Sequence, residues 1–304
     1  MGNRIVVVGS SNTDMIVKLH HLPKPGETVS GGAFSTAAGG KGANQAVAAA
    51  RAGAEVGFVA RVGEDSFGEQ AIAGFVGDGI DVRHVTRDSA SPSGVALIFV
   101  DDGGENCIAV APGANGGLTP EDVEAAEELI NGADAVVMQL ETPLESVERA
   151  AALAREHGVR VILNPAPARP LSDELLGNVS ILTPNESEAE LLTGVQVTDD
   201  ASAEMAAQAL AAKGVEAVIL TLGSRGAYVF ESGSGELVPG FEVQAVDTTA
   251  AGDVFNGTLA VGLAEGMPLA QAVRFANAAG ALSVTKLGAQ PSAPTRSEIE
   301  EFLG

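Results

Sequence analysis

The chain has 304 residues, of which 45% are hydrophobic and 19% charged, which excludes a disordered protein. The 17 basic and 40 acidic residues give a net charge of −23, which argues against nucleic acid or an anionic membrane as the main partner. The single cysteine, Cys107, excludes a disulfide framework. A single cysteine fits a reducing compartment, so we expect a cytoplasmic protein, and no apolar stretch is long enough to span a bilayer.

Short apolar runs alternate with alanine-rich segments along most of the chain. The runs are largely apolar rather than alternating, which is typical of strands buried on both faces of a parallel sheet. The alternation predicts an α/β fold, with a three-layer, doubly wound, mostly parallel sheet flanked by helices, in a single domain over residues 1–304. The predicted strands are 5–8, 135–138, 160–163, 179–182 and 217–220, and the predicted helices are 43–52, 120–131, 144–157, 186–193, 201–213 and 252–282, the last broken at Gly266 and Pro268.

Two stretches depart from this alternation, at about 14–37 and 93–111. The first is punctuated by proline and glycine, and the second has two β-rich runs flanking the turn 101–105, which is a hairpin signal. We predict that both form antiparallel strands of one small β-sheet inserted into the α/β core. Cys107 would be a small apolar filler in that hairpin.

Polar residues follow all five predicted strands. They lie in 9–14, 139–141, 164–165, 183–188 and 221–226. In open α/β sheets ligands bind beyond the carboxyl ends of the strands, so these segments predict one shared ligand site.

Two common nucleotide motifs are absent from the chain. GxGxxG does not occur, which argues against a dinucleotide-dependent dehydrogenase, and Ser35 and Gly42 break the P-loop pattern around Gly40-Lys41. Two other glycine-rich segments remain, at 37–44 and 247–257. Small residues in the second open a predicted helix whose free N–H groups favour an anion, and Asp253 lies in its first turn.

Six motifs occur in order: Asn12-x-Asp14, GGKGAN at 39–44, NPAPA at 164–168, TPNESE at 183–188, TLGSRG at 221–226 and DTTAAGD at 247–253. From about Arg4 to Phe302 the chain resembles the ribokinase-like (PfkB-type) carbohydrate kinase family. The resemblance implies that family's fold with a β-sheet lid, a homodimer formed through the lids, and phosphoryl transfer from ATP with Mg²⁺ and a monovalent cation, K⁺. NPAPA and residues 139–141 favour D-ribose, phosphorylated at O5.

The resemblance also implies a role for each matching position. Asp253 would be the catalytic base, beside an anion hole of Ala250, Ala251 and Gly252. The sugar would contact Asn12, Asp14, Gly39, Gly40, Lys41, Asn44, Glu141 and Asp253. ATP would bind at Asn185, Glu188, Thr221, Gly223, Ser224, Arg225, Gly226, Gly252 and Asn277, with Asn185 and Glu188 tied to Mg²⁺ and phosphate. The monovalent cation would bind at Asp247, Thr249, Ser283, Lys286, Gly288 and Ser292, largely through backbone carbonyls. One departure is that the family usually has Gly-Ala-Gly-Asp where this chain has Ala250-Ala251-Gly252-Asp253.

Several alternatives stay open. A kinase of the same family could act on deoxyribose, fructose, a keto-deoxy sugar acid or a nucleoside such as adenosine. A non-catalytic sugar-binding protein is a second alternative, against which Lys41, Gly252 and Asp253 together argue. The four histidines are interpreted as surface or packing residues, and the acidic residues of 121–128 as the solvated face of a helix.

Overall fold

A computed structural model describes residues 3–304. The strands are β1 (Arg4–Val8), β2 (Asn12–Lys18), β3 (Ala33–Gly39), β4 (Glu55–Gly63), β5 (Asp81–Asp88), β6 (Gly94–Val100), β7 (Asn106–Ala111), β8 (Ala135–Met138), β9 (Arg160–Leu163), β10 (Ile181–Leu182), β11 (Ala217–Thr221), β12 (Gly226–Glu231) and β13 (Ser234–Pro239). The α-helices are α1 (Lys41–Arg51), α2 (Ser66–Gly77), α3 (Pro120–Glu124), α4 (Glu127–Asn131), α5 (Leu144–Glu156), α6 (Asp173–Gly177), α7 (Glu186–Thr193), α8 (Asp200–Ala211), α9 (Ala251–Ala264), α10 (Leu269–Ser283) and α11 (Arg296–Leu303).

Within residues 3–304 the strands form two sheets. The large sheet has nine strands in the order β13-β12-β11-β10-β9-β8-β1-β4-β5, and its strands from β11 to β5 run parallel. Strands β12 and β13 add an antiparallel hairpin at one edge. The predicted doubly wound, mostly parallel sheet is confirmed.

Helices cover both faces of the large sheet, and strand β1 illustrates why. Its alternate residues Ile5 and Val7 belong to one apolar cluster, which includes residues of α1, α9 and α10. Val6 and Val8 belong to a second cluster on the other face, with residues of α5 and α8. Because both faces are covered, the strand is apolar at every one of these positions.

The small sheet has the order β3-β2-β6-β7. Its pairs β2–β3 and β6–β7 are antiparallel as expected, but β2 and β6 run parallel, because the chain between them crosses through α1 and the large sheet. All six residues of β7 are exposed, so the expectation that Cys107 is a buried filler is wrong. Large apolar side chains are exposed on this sheet: Phe34 is 65%, Leu97 43%, Ile108 54% and Val110 53% exposed.

Three parts of the fold differ from the sequence-based predictions. The predicted strand 179–182 is reduced to β10, and the predicted helix 120–131 is split into α3 and α4. Elements β4, α2, β5 and the β12–β13 hairpin were not predicted. In α2 the three glycines Gly68, Gly74 and Gly77 weaken the helical pattern.

Asp122 belongs to the acidic residues of 121–128 that were interpreted as a solvated helix face, but its side chain makes defined contacts. Its carboxylate closes a capping box with Thr119 and accepts a 2.9 Å hydrogen bond from Arg61 Nε. The predicted N-terminus of this helix is thereby confirmed. Within the described range 3–304, no helix is both long and apolar enough to cross a membrane.

Candidate active site

The carboxyl ends of β1 and β8 meet the N-terminus of α1 at Glu141. Ser10 Oγ donates a 2.5 Å hydrogen bond to Glu141 Oε2, and the backbone N–H of Lys41 donates to the same oxygen at 2.9 Å. A carboxylate at the start of a helix is stabilised by the free N–H groups and by the helix dipole. Glu141 is therefore held where residues 9–14, which follow β1, meet residues 139–141, which follow β8.

The glycine pair Gly39-Gly40 allows β3 to approach β2 closely. Gly40 has φ +90°, a conformation that glycine adopts without strain. A Cβ on Gly39 would collide with the carboxylate of Asp14, and one on Gly40 would collide with the backbone of Ser11 and Asn12. The pair thus brings Asn12 and Asp14 to the start of α1.

Asp253 is buried in the first turn of α9, with each carboxylate oxygen accepting one amide hydrogen bond. Asn44 Nδ2 donates to Oδ2 at 2.9 Å, and Gln45 Nε2 donates to Oδ1 at 3.0 Å. Burial raises the pKa of Asp253 above its ordinary value, and Lys41 and the two amides act in the opposite direction. A carboxylate in this setting is suited to accept a proton.

The ammonium of Lys41 lies among several carboxylates in this part of the site. Burial lowers the pKa of Lys41, but the charges of Asp253, Glu141 and Glu188 outweigh it, so the pKa is raised. Burial, with the charges of Glu141 and Asp253, raises the pKa of Asp14 to about 6. The cluster offers many acceptors and one cation, which suits a neutral ligand rich in hydroxyl groups.

Two amide side chains near this cluster have defined orientations. The buried Asn115, in the 3-10 turn Gly113–Gly117, donates from Nδ2 to Asn12 Oδ1 at 2.8 Å and to Ser11 O at 3.0 Å. This leaves the amide nitrogen of Asn12 as a donor for a ligand. Asn44 Oδ1 is buried without a hydrogen-bond partner in residues 3–304, so it can accept from a ligand hydroxyl.

A cavity of about 850 Å³ lies on the other side of the first turn of α9. Phe241, Val243, Ala281 and Val284 give it an apolar wall, which suits a planar base. Eight of the nine residues predicted to bind nucleotide line it: Asn185, Thr221, Gly223, Ser224, Arg225, Gly226, Gly252 and Asn277.

The ninth, Glu188, is buried in α7 next to this cavity. It forms a capping box with Asn185, whose Oδ1 accepts from the Glu188 N–H at 2.8 Å. Burial raises the pKa of Glu188. Arg225 lines the cavity, but its guanidinium lies 3.4 Å from Glu186 and 3.5 Å from Asp200, so these carboxylates already neutralise it.

The start of α9 separates the cavity from the carboxylate cluster. Ala250 adopts a left-handed conformation, with φ 60° and ψ 12°, and precedes the first turn. The N–H groups of that turn have no acceptor within the helix. Ala251 and Gly252 line the nucleotide-sized cavity, whereas the Asp253 side chain bonds to Asn44 and Gln45 on the other side. An anion bound to this turn would therefore lie between the two compartments.

Of the residues predicted to bind a monovalent cation, Thr249 and Gly288 contact the side chain of Asp247. Its carboxylate accepts hydrogen bonds at 2.9 Å from the N–H groups of Thr249 and Gly288. Burial alone would raise the pKa of Asp247, but hydrogen bonds from these two residues outweigh it and lower the pKa. The hydroxyls of Ser283 and Ser292 donate to nearby carbonyls, and the ammonium of Lys286 pairs with Glu298 at 2.7 Å, away from Asp247. Within residues 3–304 no cluster of three His, Cys, Asp or Glu side chains is arranged to hold a metal ion.

The sequence-based reasoning assigned no individual roles to a set of buried amides and hydroxyls below Asp253, although Gln139, Asn164 and Thr183 lie in the segments predicted to share one ligand site. Asn115 was also missed, although the segment 113–117 has the glycines of a tight turn. The set includes Gln45, which directly follows the GGKGAN motif, and Gln139, which directly follows β8. The remaining members of the set are Asn164, Thr183 and Asn256.

Known proteins share both the sequence and the fold. The family description "pfkB family carbohydrate kinase" matches residues 3–296. A ribokinase of Haemophilus influenzae is 49% identical over 303 residues, which cover 100% of this chain and 99% of that protein. A deoxyribokinase of Salmonella typhi is 39% identical, covering 98% of each chain.

A solved structure extends the similarity to the whole fold. Arabidopsis thaliana ribokinase, in complex with ribose and ATP, is 36% identical with a TM-score of 0.94, covering 100% of this chain and 99% of that one. The order of the motifs, the two-compartment site and these similarities agree, and the chain belongs to the pfkB family of carbohydrate kinases.

Proposed function

We propose that the protein transfers the γ-phosphoryl group of ATP to O5 of D-ribose. The observation that carries this proposal is the position of the first turn of α9, which lies between a nucleotide-sized cavity and a cluster of sugar-compatible acceptors. Phosphoryl transfer requires positioning and charge stabilisation more than covalent chemistry, and this arrangement supplies both.

Asp253 is the general base in this mechanism. Its carboxylate accepts the proton of the O5 hydroxyl as the oxygen attacks the phosphorus in line with the leaving ADP. The free N–H groups of residues 250–253 hold the charge that develops on the equatorial oxygens of the transferred group. The ammonium of Lys41, whose pKa is raised, stays protonated and adds positive charge to the same region.

The sugar binds through donors and acceptors of matched geometry. Asp14 and Glu141 accept hydrogen bonds from sugar hydroxyls, and Asn12 and Lys41 donate. Asn44 accepts through its unpartnered Oδ1, while the Gly39-Gly40 turn lets the backbone approach the ring. A neutral sugar also avoids adding a further negative charge to a site that already holds several carboxylates.

Mg²⁺ and a monovalent cation are part of the proposal. Asn185 and Glu188 offer oxygen ligands of the kind that Mg²⁺ prefers, at the edge of the cavity beside the anion-binding turn. When bound, Mg²⁺ neutralises the phosphates. The carboxylate of Asp247 and the carbonyls around Ser283, Lys286, Gly288 and Ser292 form an oxygen-rich loop suited to K⁺. Lys286 can contribute only its backbone carbonyl, because an ammonium has no acceptor for a cation; its ammonium pairs with Glu298 instead.

The small sheet is proposed to be the lid of this single-domain enzyme and its dimer contact. It carries Asn12 and Asp14 at its base, so movement of the sheet would cover the sugar and exclude water. Its exposed apolar side chains and its open edge strand β7 favour a homodimer formed through two such lids. A cytoplasmic location stays a prediction that rests on the single cysteine.

A sugar panel tests the function and its alternatives. We expect kcat/KM, measured by ADP release, to be higher for D-ribose than for 2-deoxyribose, fructose, a keto-deoxy sugar acid or adenosine. The 39% identity to a deoxyribokinase makes 2-deoxyribose the most informative competitor. A higher kcat/KM for any of the other compounds would identify that compound, instead of ribose, as the substrate. Ribose binding without ADP release would support the non-catalytic alternative.

A further inference from the structure

A row of buried amide side chains lies below the carboxylate of Asp253. Gln139 follows β8, Gln45 belongs to α1, and Asn164 follows β9. Gln45 and Gln139 are 0% and 1% exposed, so solvent does not satisfy their polar atoms. No role in the proposed reaction has been assigned to either residue above.

The hydrogen bonds in this row have one direction. Gln139 Nε2 donates to Gln45 Oε1 at 2.6 Å. Gln45 Nε2 in turn donates to Asp253 Oδ1 at 3.0 Å and to Asn164 Oδ1 at 3.2 Å. Because Gln139 occupies the oxygen of Gln45, the amide nitrogen of Gln45 must face Asp253.

Gln139 itself is held by tight packing. Its Oε1 has no hydrogen-bond partner in residues 3–304 and lies against Gly9, where a Cβ would collide with it. An amide oxygen is buried here without a partner, which is costly, while the amide nitrogen is directed at Gln45. The cost of the unpartnered Gln139 oxygen is explained if the site requires a fixed orientation of the Gln45 amide.

We infer that Gln45 and Gln139 are positioning residues for the Asp253 carboxylate. Gln139 fixes the amide of Gln45, and Gln45 presents its N–H to Oδ1, which keeps the carboxylate oriented and stabilises its ionised form. The inference rests on the proposed role of Asp253 as the general base.

Charged groups from several elements also face Asp253, and they are unchanged by substitutions in the amide row. Lys41 of α1 favours the carboxylate, whereas Asp14 of β2, Glu141 after β8 and Glu188 of α7 disfavour it. Removing an N–H group that donates to the Asp253 carboxylate must therefore shift the proton equilibrium of Asp253 towards the protonated form.

The test is the pH profile of kcat at saturating ribose and ATP for Gln45→Met and Gln139→Met. Met has a similar shape to Gln but no donor and no charge. Without the hydrogen bond from Gln139, the amide of Gln45 is no longer fixed and can turn its oxygen towards Asp253. We expect the acid limb of kcat to move up by about one pH unit in both variants, so that kcat falls about tenfold below the limb and recovers at high pH.

Controls separate positioning from general destabilisation. Ser146→Ala removes another buried hydrogen bond, to Leu118 O, that involves no residue of this row. It should lower the melting temperature without moving the limb. An unmoved limb in a folded Gln45→Met or Gln139→Met variant overturns the role of that residue. If Asp253→Asn is inactive but the acid limbs of the Gln45 and Gln139 variants do not move, only the positioning role fails. Wild-type turnover by Asp253→Asn would overturn the proposed role of Asp253 as the base.

Discussion

The nine-stranded sheet buries its apolar residues on both faces, whereas the four-stranded sheet leaves large apolar residues exposed. In β1 and β8 every residue from Ile5 to Val8 and from Ala135 to Met138 is buried. In β7 every residue is exposed. The large sheet packs against α1 and α9, which carry Gln45 and Asp253, so both residues are held by its core. The small sheet carries Asn12 and Asp14, which are proposed to bind the sugar, and leaves large apolar side chains exposed.

The comparison predicts that chemistry depends on the large sheet and substrate capture on the small one. The substitutions below test this division, beginning with the largest expected effect.

Asp253→Asn should remove the base while preserving the shape of the site. We expect kcat to fall by between about 10²- and 10⁴-fold, with the Kd for ribose changed far less. Steady-state kinetics and calorimetric titration with ribose measure the two quantities. Loss of ribose binding equal to the loss of turnover would mean that Asp253 serves binding instead.

Charged residues on the small sheet should disrupt the dimer. Phe34→Lys and Ile108→Lys place an ammonium on opposite faces of the sheet, and at least one should give a monomer mass by light scattering and a weaker Kd for ribose. Val76→Lys is the matched control, since Val76 is 59% exposed but lies on α2. A wild-type chain that is monomeric at all concentrations would contradict the dimer.

Asp14 should make ribose binding depend on pH. Its pKa is raised to about 6, and only the carboxylate is a full acceptor for sugar hydroxyls. The Kd for ribose should therefore be constant above pH 7 and rise as the pH falls through 6, by up to about tenfold per unit. Asp14→Asn should bind more weakly at pH 7 and show a flatter profile. A wild-type Kd that is independent of pH between 5 and 8 would rule out Asp14 as a charged ligand group.

Ala250→Gly should have the smallest effect. Ala250 has φ 60°, which costs a non-glycine residue about 1 kcal/mol, although glycine gives part of this back through greater freedom of the unfolded chain. We expect a gain of up to about 1 kcal/mol in the free energy of unfolding by urea titration. A clear loss of stability would show that the Ala250 methyl group makes contacts that outweigh its backbone strain.

The sequence predicted the parts of the molecule whose signal is local. Largely apolar runs located β1, β8, β9 and β11, and small residues before Asp253 located the start of α9. The elements that were missed carry weaker local patterns: β4 contains Gly57 and Arg61, and α2 is rich in glycine.

The amide row could not be predicted, for a different reason. Gln139 and Gln45 are 94 residues apart, and Gln45 and Asp253 are 208 apart, so their contacts depend on the order of strands in the sheet. The ion pairs of Arg225 with Glu186 and Asp200 likewise depend on how α7 and α8 pack beside the nucleotide cavity. Sequence patterns identified candidate residues there, but the topology decides which of them meet.

The most direct test of the central claim is the position of the phosphate in the product. The protein is incubated with ATP, Mg²⁺, K⁺ and D-ribose, and the product is examined by phosphorus NMR with proton coupling. We predict one phosphate per ADP formed, coupled to the two protons on C5 of ribose. A phosphate on another carbon, or ADP formed with inorganic phosphate alone, would contradict the proposed placement of O5 between Asp253 and the first turn of α9.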